Sequence, residues 1–85
     1  MLTMKIRFGE RVLIGDDLTV SVKRTGRYKL SLVVGRDNLP PQDINETSAA
    51  LGDDIFVIAS IEERRVKLSV RAPLEMDIRR STHNI

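Results

Sequence analysis

The sequence predicts a mostly β protein, a small antiparallel β-sheet domain with one short inserted helix. Three observations carry that prediction. Apolar and polar residues alternate with a period of two through most of the chain. Short clusters of Gly, Asp, Thr and Pro punctuate these runs as turns do. A single stretch, from Pro40 to Gly52, departs from the alternation and carries helix-type end signals. At 85 residues the chain is one domain, and so short a chain usually needs disulfides, a metal or a partner subunit to be stable. It has no cysteine and one histidine, His83. Disulfides and cysteine or multi-histidine metal sites are thereby removed, and oligomerisation is the remaining route.

From Met1 to Phe8, Leu2, Met4, Ile6 and Phe8 share one face and Thr3, Lys5 and Arg7 the other, which makes a strand with a basic outer face. Gly9-Glu10 interrupts it, Arg11 to Ile14 continues extended, and Gly15-Asp16-Asp17 supplies a turn. Leu18, Val20 and Val22 then alternate with Thr19, Ser21 and Lys23. Thr25-Gly26 turns the chain, and Tyr28, Leu30, Leu32 and Val34 complete a hairpin. Gly35 to Gln42 breaks the pattern. The following segment fits a short helix, with proline in its first turn, Asp43 and Glu46 near its N-terminus, Ala49-Ala50-Leu51 in its body and Gly52 as its cap. Its apolar stripe, Ile44 and Leu51, is thin, so an irregular loop is the alternative.

Ile55 to Ile61 is a continuous apolar run, short and β-branched enough for a buried strand, and Glu62-Glu63-Arg64 turns it back. Val66, Leu68 and Val70 alternate with Lys67, Ser69 and Arg71. Pro73 breaks the ladder, and Leu74, Met76 and Ile78 alternate with Glu75, Asp77 and Arg79 in a last strand ending at Arg80. The segment R-Y-K-L-S-L-V-V at 27–34 lines up with R-V-K-L-S-V-R-A at 65–72, a likeness that period-two strands share by necessity and that is too short to establish a repeat.

The net charge of +2 conceals a division. Residues 37–63 hold seven of the twelve acidic residues and no Lys or Arg, so the window carries −7 and the rest of the chain +9. An acidic segment that only solvates itself is the plainer reading. With the arginine-rich strands, the division also suggests one surface facing a polyanion and another kept away from it. Catalysis finds little support. Asp16-Asp17, Asp53-Asp54 and Glu62-Glu63 all fall at expected turns, and His83 lies close to the C-terminal residue. Ser60, Ser69 and Ser81 have no placed histidine partner, and no glycine-rich phosphate loop follows a strand. The expectation is a protein that is not an enzyme and needs no cofactor. The N-terminus has no continuous apolar run, so neither a secretion signal nor a membrane span is expected, and a reducing cytoplasm is the default location.

Two stretches together resemble the CsrA/RsmA carbon-storage regulators, small bacterial proteins that bind messenger RNA and control its translation. M-L-T-M-K-I-R-F-G-E-R-V-L-I-G-D at 1–16 resembles the family's opening, above all R-x-G-E at 7–10 and I-G-D at 14–16. R-V-K-L-S-V-R-A-P-L-E-M-D-I-R-R at 65–80 resembles its other signature, a strand leading into Ala-Pro and then a strand ending in arginine. With the strand at 55–61, the resemblance covers about half of the chain. Departures accompany it. A block at about 18–54 intervenes where the family runs nearly directly into its central hairpin, and no C-terminal helix follows Arg80. That arrangement is similar to a branch of the family with an internal helix and no C-terminal one. Ile6 stands where an arginine is common, with Lys5 and Arg7 beside it.

The resemblance implies an intertwined homodimer, the first strand of one chain lying beside the last strand of the other, with equivalent sites for GGA-containing hairpin loops in mRNA or regulatory small RNA. Carried over by position, the RNA-binding residues are Met4, Lys5, Arg7, Ala72, Pro73, Ile78, Arg79 and Arg80. The chemistry agrees, because unpaired bases expose edges that a guanidinium reads while lysines meet phosphate. Tyr28, Phe8 and Phe56 are the only aromatics, too few for a stacking platform. The alternatives are a β-rich module that binds protein, for example one that modulates a CsrA-type regulator by heterodimerising with it, and a phage or structural component on the same small fold. A protein antagonist is a further candidate partner.

Overall fold

The computed structural model describes residues 1–37 and 39–81, which form nine strands. In chain order these are β1 (Leu2–Ile6), β2 (Arg11–Ile14), β3 (Leu18–Gly26), β4 (Lys29–Arg36), β5 (Leu39–Asp43), β6 (Ser48–Gly52), β7 (Ile55–Glu62), β8 (Arg65–Arg71) and β9 (Ile78–Ser81). One sheet has the order β1-β8-β7-β6 and the other β5-β4-β3-β2-β9, and every pairing is antiparallel. His83 lies outside the described residues.

The period-two pattern does what it should. Val20 and Val22 on β3, Leu30 and Leu32 on β4, Val57 and Ala59 on β7, and Val66, Leu68 and Val70 on β8 all turn inward. They join Ile6, Val12, Ile14 and Leu18 in one apolar cluster shared by the two sheets. The block at 18–54 is therefore no appendage, since β3 and β4 supply the middle of the larger sheet and part of the common core.

The expected helix is absent. Among the described residues there is no helix, and the span read as one is divided between β5 and β6. Pro40 and Pro41 sit on β5, an edge strand, opposite the register shift between Val34 and Arg36 where neither has a ladder partner in β4, so the prolines are accommodated there rather than at the start of a helix. In β6, Ala49 and Leu51 are half-buried while Ser48, Ala50 and Gly52 are exposed, an alternation of two. The weak helical propensity of so thin a stripe loses to the open edge of β7, whose backbone groups gain partners in β6. No helix of the described residues is long and apolar enough to cross a membrane.

Two four-residue links, besides the longer one from β8 to β9, carry the chain from one sheet to the other. Between β1 and β2, Gly9 adopts φ 85°, a left-handed conformation that a side chain would disfavour. Its N–H donates to the Val22 carbonyl (3.0 Å), and the Arg7 N–H donates to Glu10 Oε1 (3.0 Å). Between β5 and β6, Asn45 takes φ 54° and its N–H donates to Asp43 Oδ1 (2.8 Å). That bond, with the Lys23 ammonium (3.0 Å), holds the Asp43 carboxyl down at about 2 from its ordinary 3.8. The resemblance places the first strand beside the last strand of a partner chain; here β1 lies along β8 and β9 along β2, both within one chain, and β1 and β9 are not paired.

Leu68 is fully buried between its register partners Met4 and Ala59. Leu68→Ala should lower unfolding stability by about 2–5 kcal/mol, a large share of the total for a domain of this size. Leu74→Ala, at a fully exposed position, should stay within about 0.5 kcal/mol in the same urea titration. A second expectation concerns acid. Because the folded-state pKa of Asp43 is depressed, its ionised form stabilises the fold above pH 3.8, and that contribution disappears as pH falls through about 2. Thermal midpoints of Asp43→Asn should lie below those of the parent near neutrality and converge with them toward pH 2.

Candidate nucleic-acid interface

β1 and β9 are edge strands of different sheets, and they meet at one corner of the molecule. Along β1, Met4 and Ile6 point inward and Lys5 outward, so the basic residue is exposed while its neighbours anchor the strand. β9 pairs with β2 so that Arg80 lies opposite Val12 and Ile78 opposite Ile14. Ile78 packs on the core, and Arg80, two residues on and on the same side, reaches past the sheet rim. Its Nη2 donates to the Lys5 carbonyl oxygen, which closes the seam between the sheets.

The R-x-G-E motif explains how this corner is held. Gly9 allows the reversal out of β1, and Glu10 turns back to accept the Arg7 N–H through Oε1. Its other oxygen, Oε2, stands 4.0 Å from Arg80 Nε. Lys5 Nζ is 3.2 Å from Glu62 Oε1, and Arg79 Nε is 3.1 Å from Asp77 Oδ2. The Glu62 and Asp77 carboxylates are solvent-exposed, whereas that of Glu10 is only 20% exposed, and pairs of the exposed type contribute little, about 0–1 kcal/mol. An incoming polyanion can exchange with them at small cost. One edge of the Arg80 fork is engaged by the Lys5 carbonyl, while Glu10 at 4.0 Å is within ion-pair but not hydrogen-bond distance, leaving further N–H groups open to a ligand.

The I-G-D motif has a different task. Gly15, at φ 67°, donates its N–H to the Asp77 carbonyl (2.7 Å), and the Met76 side chain lies 3.4 Å from where a Cβ would stand. The glycine thus docks the linker into β9 and sets the position of Arg80 from a distance. Beside it lies a shallow depression whose lining includes Asp16, Asp17, Glu75 and Asp77. Its acidity is ill-suited to phosphate.

The eight residues expected to contact RNA separate into groups. Lys5, Arg7 and Arg80 share the corner, with Met4 half-buried beneath Lys5. Arg79 alternates to the other face of β9 and pairs with Asp77. Ile78 belongs mainly to the core. Ala72 and Pro73 follow β8 where Val70 pairs with Leu2, at the far end of β1 from Lys5, roughly 16–20 Å away at the usual strand rise. Ile6 is buried and pairs with Val66, so that position offers nothing to a ligand while exposed Lys5 and Arg7 flank it.

Three participants were not singled out from sequence. Glu10 orients the corner, and a carboxylate directly after a turn glycine gives no hint of a distant arginine partner. Lys67 is the register partner of Lys5 on the outer face of the smaller sheet, a pairing of like charges that only strand register reveals. Glu62 belongs to the acidic window yet contacts Lys5, so that window is not wholly removed from the basic surface. Comparisons with protein-family models, with curated proteins and with solved structures find no match to this chain.

Proposed function

We propose that this protein is an RNA-binding translational regulator of the cytoplasm that recognises GGA-containing hairpin loops in mRNA or small RNA. The observation that carries this reading is the corner at which Arg80 of β9 spans to the backbone of β1 between Lys5 and Arg7. It joins the two sequence stretches that resemble the carbon-storage regulators, although they stand at opposite ends of the chain. A planar guanidinium held by backbone and carboxylate contacts is pre-oriented for a base edge, and the flanking Lys5 and Arg7 supply charge for phosphate. Unpaired loop nucleotides expose the edges that such a corner can read, whereas a duplex hides them.

A protein-binding role is the second reading, and one specific observation favours it. Of the four edge strands, β6 (Ser-Ala-Ala-Leu-Gly) has neither a charged residue nor a proline to discourage strand addition, whereas β1 has Lys5, β5 has Pro40 and Pro41, and β9 has Arg79 and Arg80. A partner strand, such as that of an antagonist's target, could pair there.

Substitution at Arg80 separates these readings. Arg80→Ala should weaken binding to a labelled GGA hairpin by about 1–3 kcal/mol, and Arg80→Lys, which keeps the charge but loses the fork, should recover little of it. Discrimination against a scrambled loop should shrink in both. Recovery by lysine, with a salt slope reduced by roughly 0.7 in the alanine variant, would mean phosphate contact alone. Parent-like affinity of Arg80→Ala would remove the reading. Glu10→Gln keeps an acceptor for the Arg7 N–H but withdraws the carboxylate charge facing Arg80, so it should tighten hairpin binding, most visibly at low salt.

A further inference from the structure

We infer that the chain is two copies of one four-strand unit in tandem, which exchange their first strands within a single molecule. As a consequence it carries one polyanion-binding corner per chain as a monomer.

The strand order carries the inference. Moving four places along the chain turns β1, β2, β3 and β4 into β5, β6, β7 and β8. The order β1-β8-β7-β6 of the smaller sheet then becomes β5-β4-β3-β2, the order found in the larger one. In each unit the last three strands form an antiparallel meander, and the first strand leaves it to pair with the last strand of the other unit: β1 with β8, β5 with β4. Each first strand also reaches its own meander through four residues, 7–10 or 44–47, with one left-handed residue, Gly9 or Asn45. Both links dock on the same strand of their unit. The Gly9 N–H bonds the Val22 carbonyl of β3, and the Ala59 N–H of β7 bonds the Thr47 carbonyl (2.8 Å).

The sequence agrees where the topology says it should. L-I-G-D-D-L-T-V at 13–20 and A-L-G-D-D-I-F-V at 50–57 make the β2–β3 and β6–β7 turns, with Gly-Asp-Asp at the same place in each. R-Y-K-L-S-L-V-V at 27–34 and R-V-K-L-S-V-R-A at 65–72 enter β4 and β8. Val20 and Val57, Val22 and Ala59, Leu30 and Leu68, and Leu32 and Val70 are buried in both copies. Two independent sequence matches in strands that the topology already equates exceed what alternation alone supplies.

The copies differ where the candidate site lies. After β8 the chain runs through Ala72-Pro73 into β9, which covers the outer edge of β2 and brings Arg80 to the corner. After β4 only Asp37 and Asn38 precede β5, so no equivalent strand exists and the outer edge of β6 stays open. The positions matching Lys5 and Arg7 are Gln42 and Ile44. The second corner therefore has neither its strand nor its cations, and one unpaired RNA loop per chain is the capacity of the molecule. That last clause rests on the RNA reading; the exchanged-unit architecture does not.

The test uses the full chain, which has no cysteine of its own. Thr3 and Ser69 are register partners across β1 and β8, with their hydroxyl oxygens 3.1 Å apart. On oxidation, a Thr3→Cys/Ser69→Cys variant should give a band of monomer mass on a non-reducing gel. Native mass spectrometry of the unsubstituted chain should give a monomer at all concentrations, and titration with an RNA bearing two GGA hairpins should load two chains independently, one per hairpin. A covalent dimer band, or a dimer mass independent of concentration, would overturn the self-contained exchange. Two hairpins bound per chain would overturn the single corner. If no hairpin binds, the RNA reading and the site count fail together, while the gel and the masses still decide the architecture.

Discussion

The pairing of β1 with β8 is the contact on which the remainder depends. It connects residues sixty or more positions apart, from Leu2 opposite Val70 to Ile6 opposite Val66. It also drives Ile6 into the core shared by both sheets and presents the Lys5 carbonyl to Arg80. Without it, β1 would be an unpaired strand carrying apolar side chains into water, and β8 an open edge. Such a long-range pairing closes a large loop, an entropic cost that the apolar residues it brings together must outweigh. The second exchanged pairing, β4 with β5, is shorter and carries prolines on its outer strand, so it seals the other sheet without building a charged corner.

Charge is arranged around this frame in weak, replaceable contacts. Lys5, Arg79 and Arg80 each have an acidic neighbour, and none of these ion pairs is deeply buried. Pairs of this kind orient side chains without binding them tightly. The backbone acceptor at Lys5 is of a different nature, because it belongs to the fold and holds the Arg80 fork whether or not an anion is present. Glycine sets both ends of the arrangement: Gly9 reverses the chain out of β1, and Gly15 anchors the segment leading to β9.

Much of the chain is legible from local pattern. The alternations around Leu18–Val22, Leu30–Val34 and Val66–Val70 mark strands and most of their inward faces, since burial of one face of a sheet imposes a period of two, but Tyr28, read as inward, is exposed just before β4 and Ser31, read as outward, is buried. The turns at Gly15-Asp16-Asp17 and Glu62-Glu63-Arg64 are legible for the same local reason. Other features are not local. Pro40-Pro41 and Ala49-Ala50-Leu51 satisfy helix end rules as well as edge-strand rules, and only the open edges of β4 and β7 decide between them. The Gly-Asp-Asp repeat at 15–17 and 52–54 is visible in the letters but acquires meaning only when both turns prove to join equivalent strands.

The sequence by itself determined the all-important alternation, the basic character of both terminal strands and the absence of cysteine chemistry, because each follows from residue identity and neighbouring spacing. Tertiary structure decided which strands lie side by side. It placed Arg80 against Lys5, Glu10 within reach of both Arg7 and Arg80, and Lys67 opposite Lys5. It also decided that each unit lends its first strand to the other. The physical reason is that a strand's pattern specifies which face it buries but not whose edge satisfies its backbone, and that choice is made by the whole core at once.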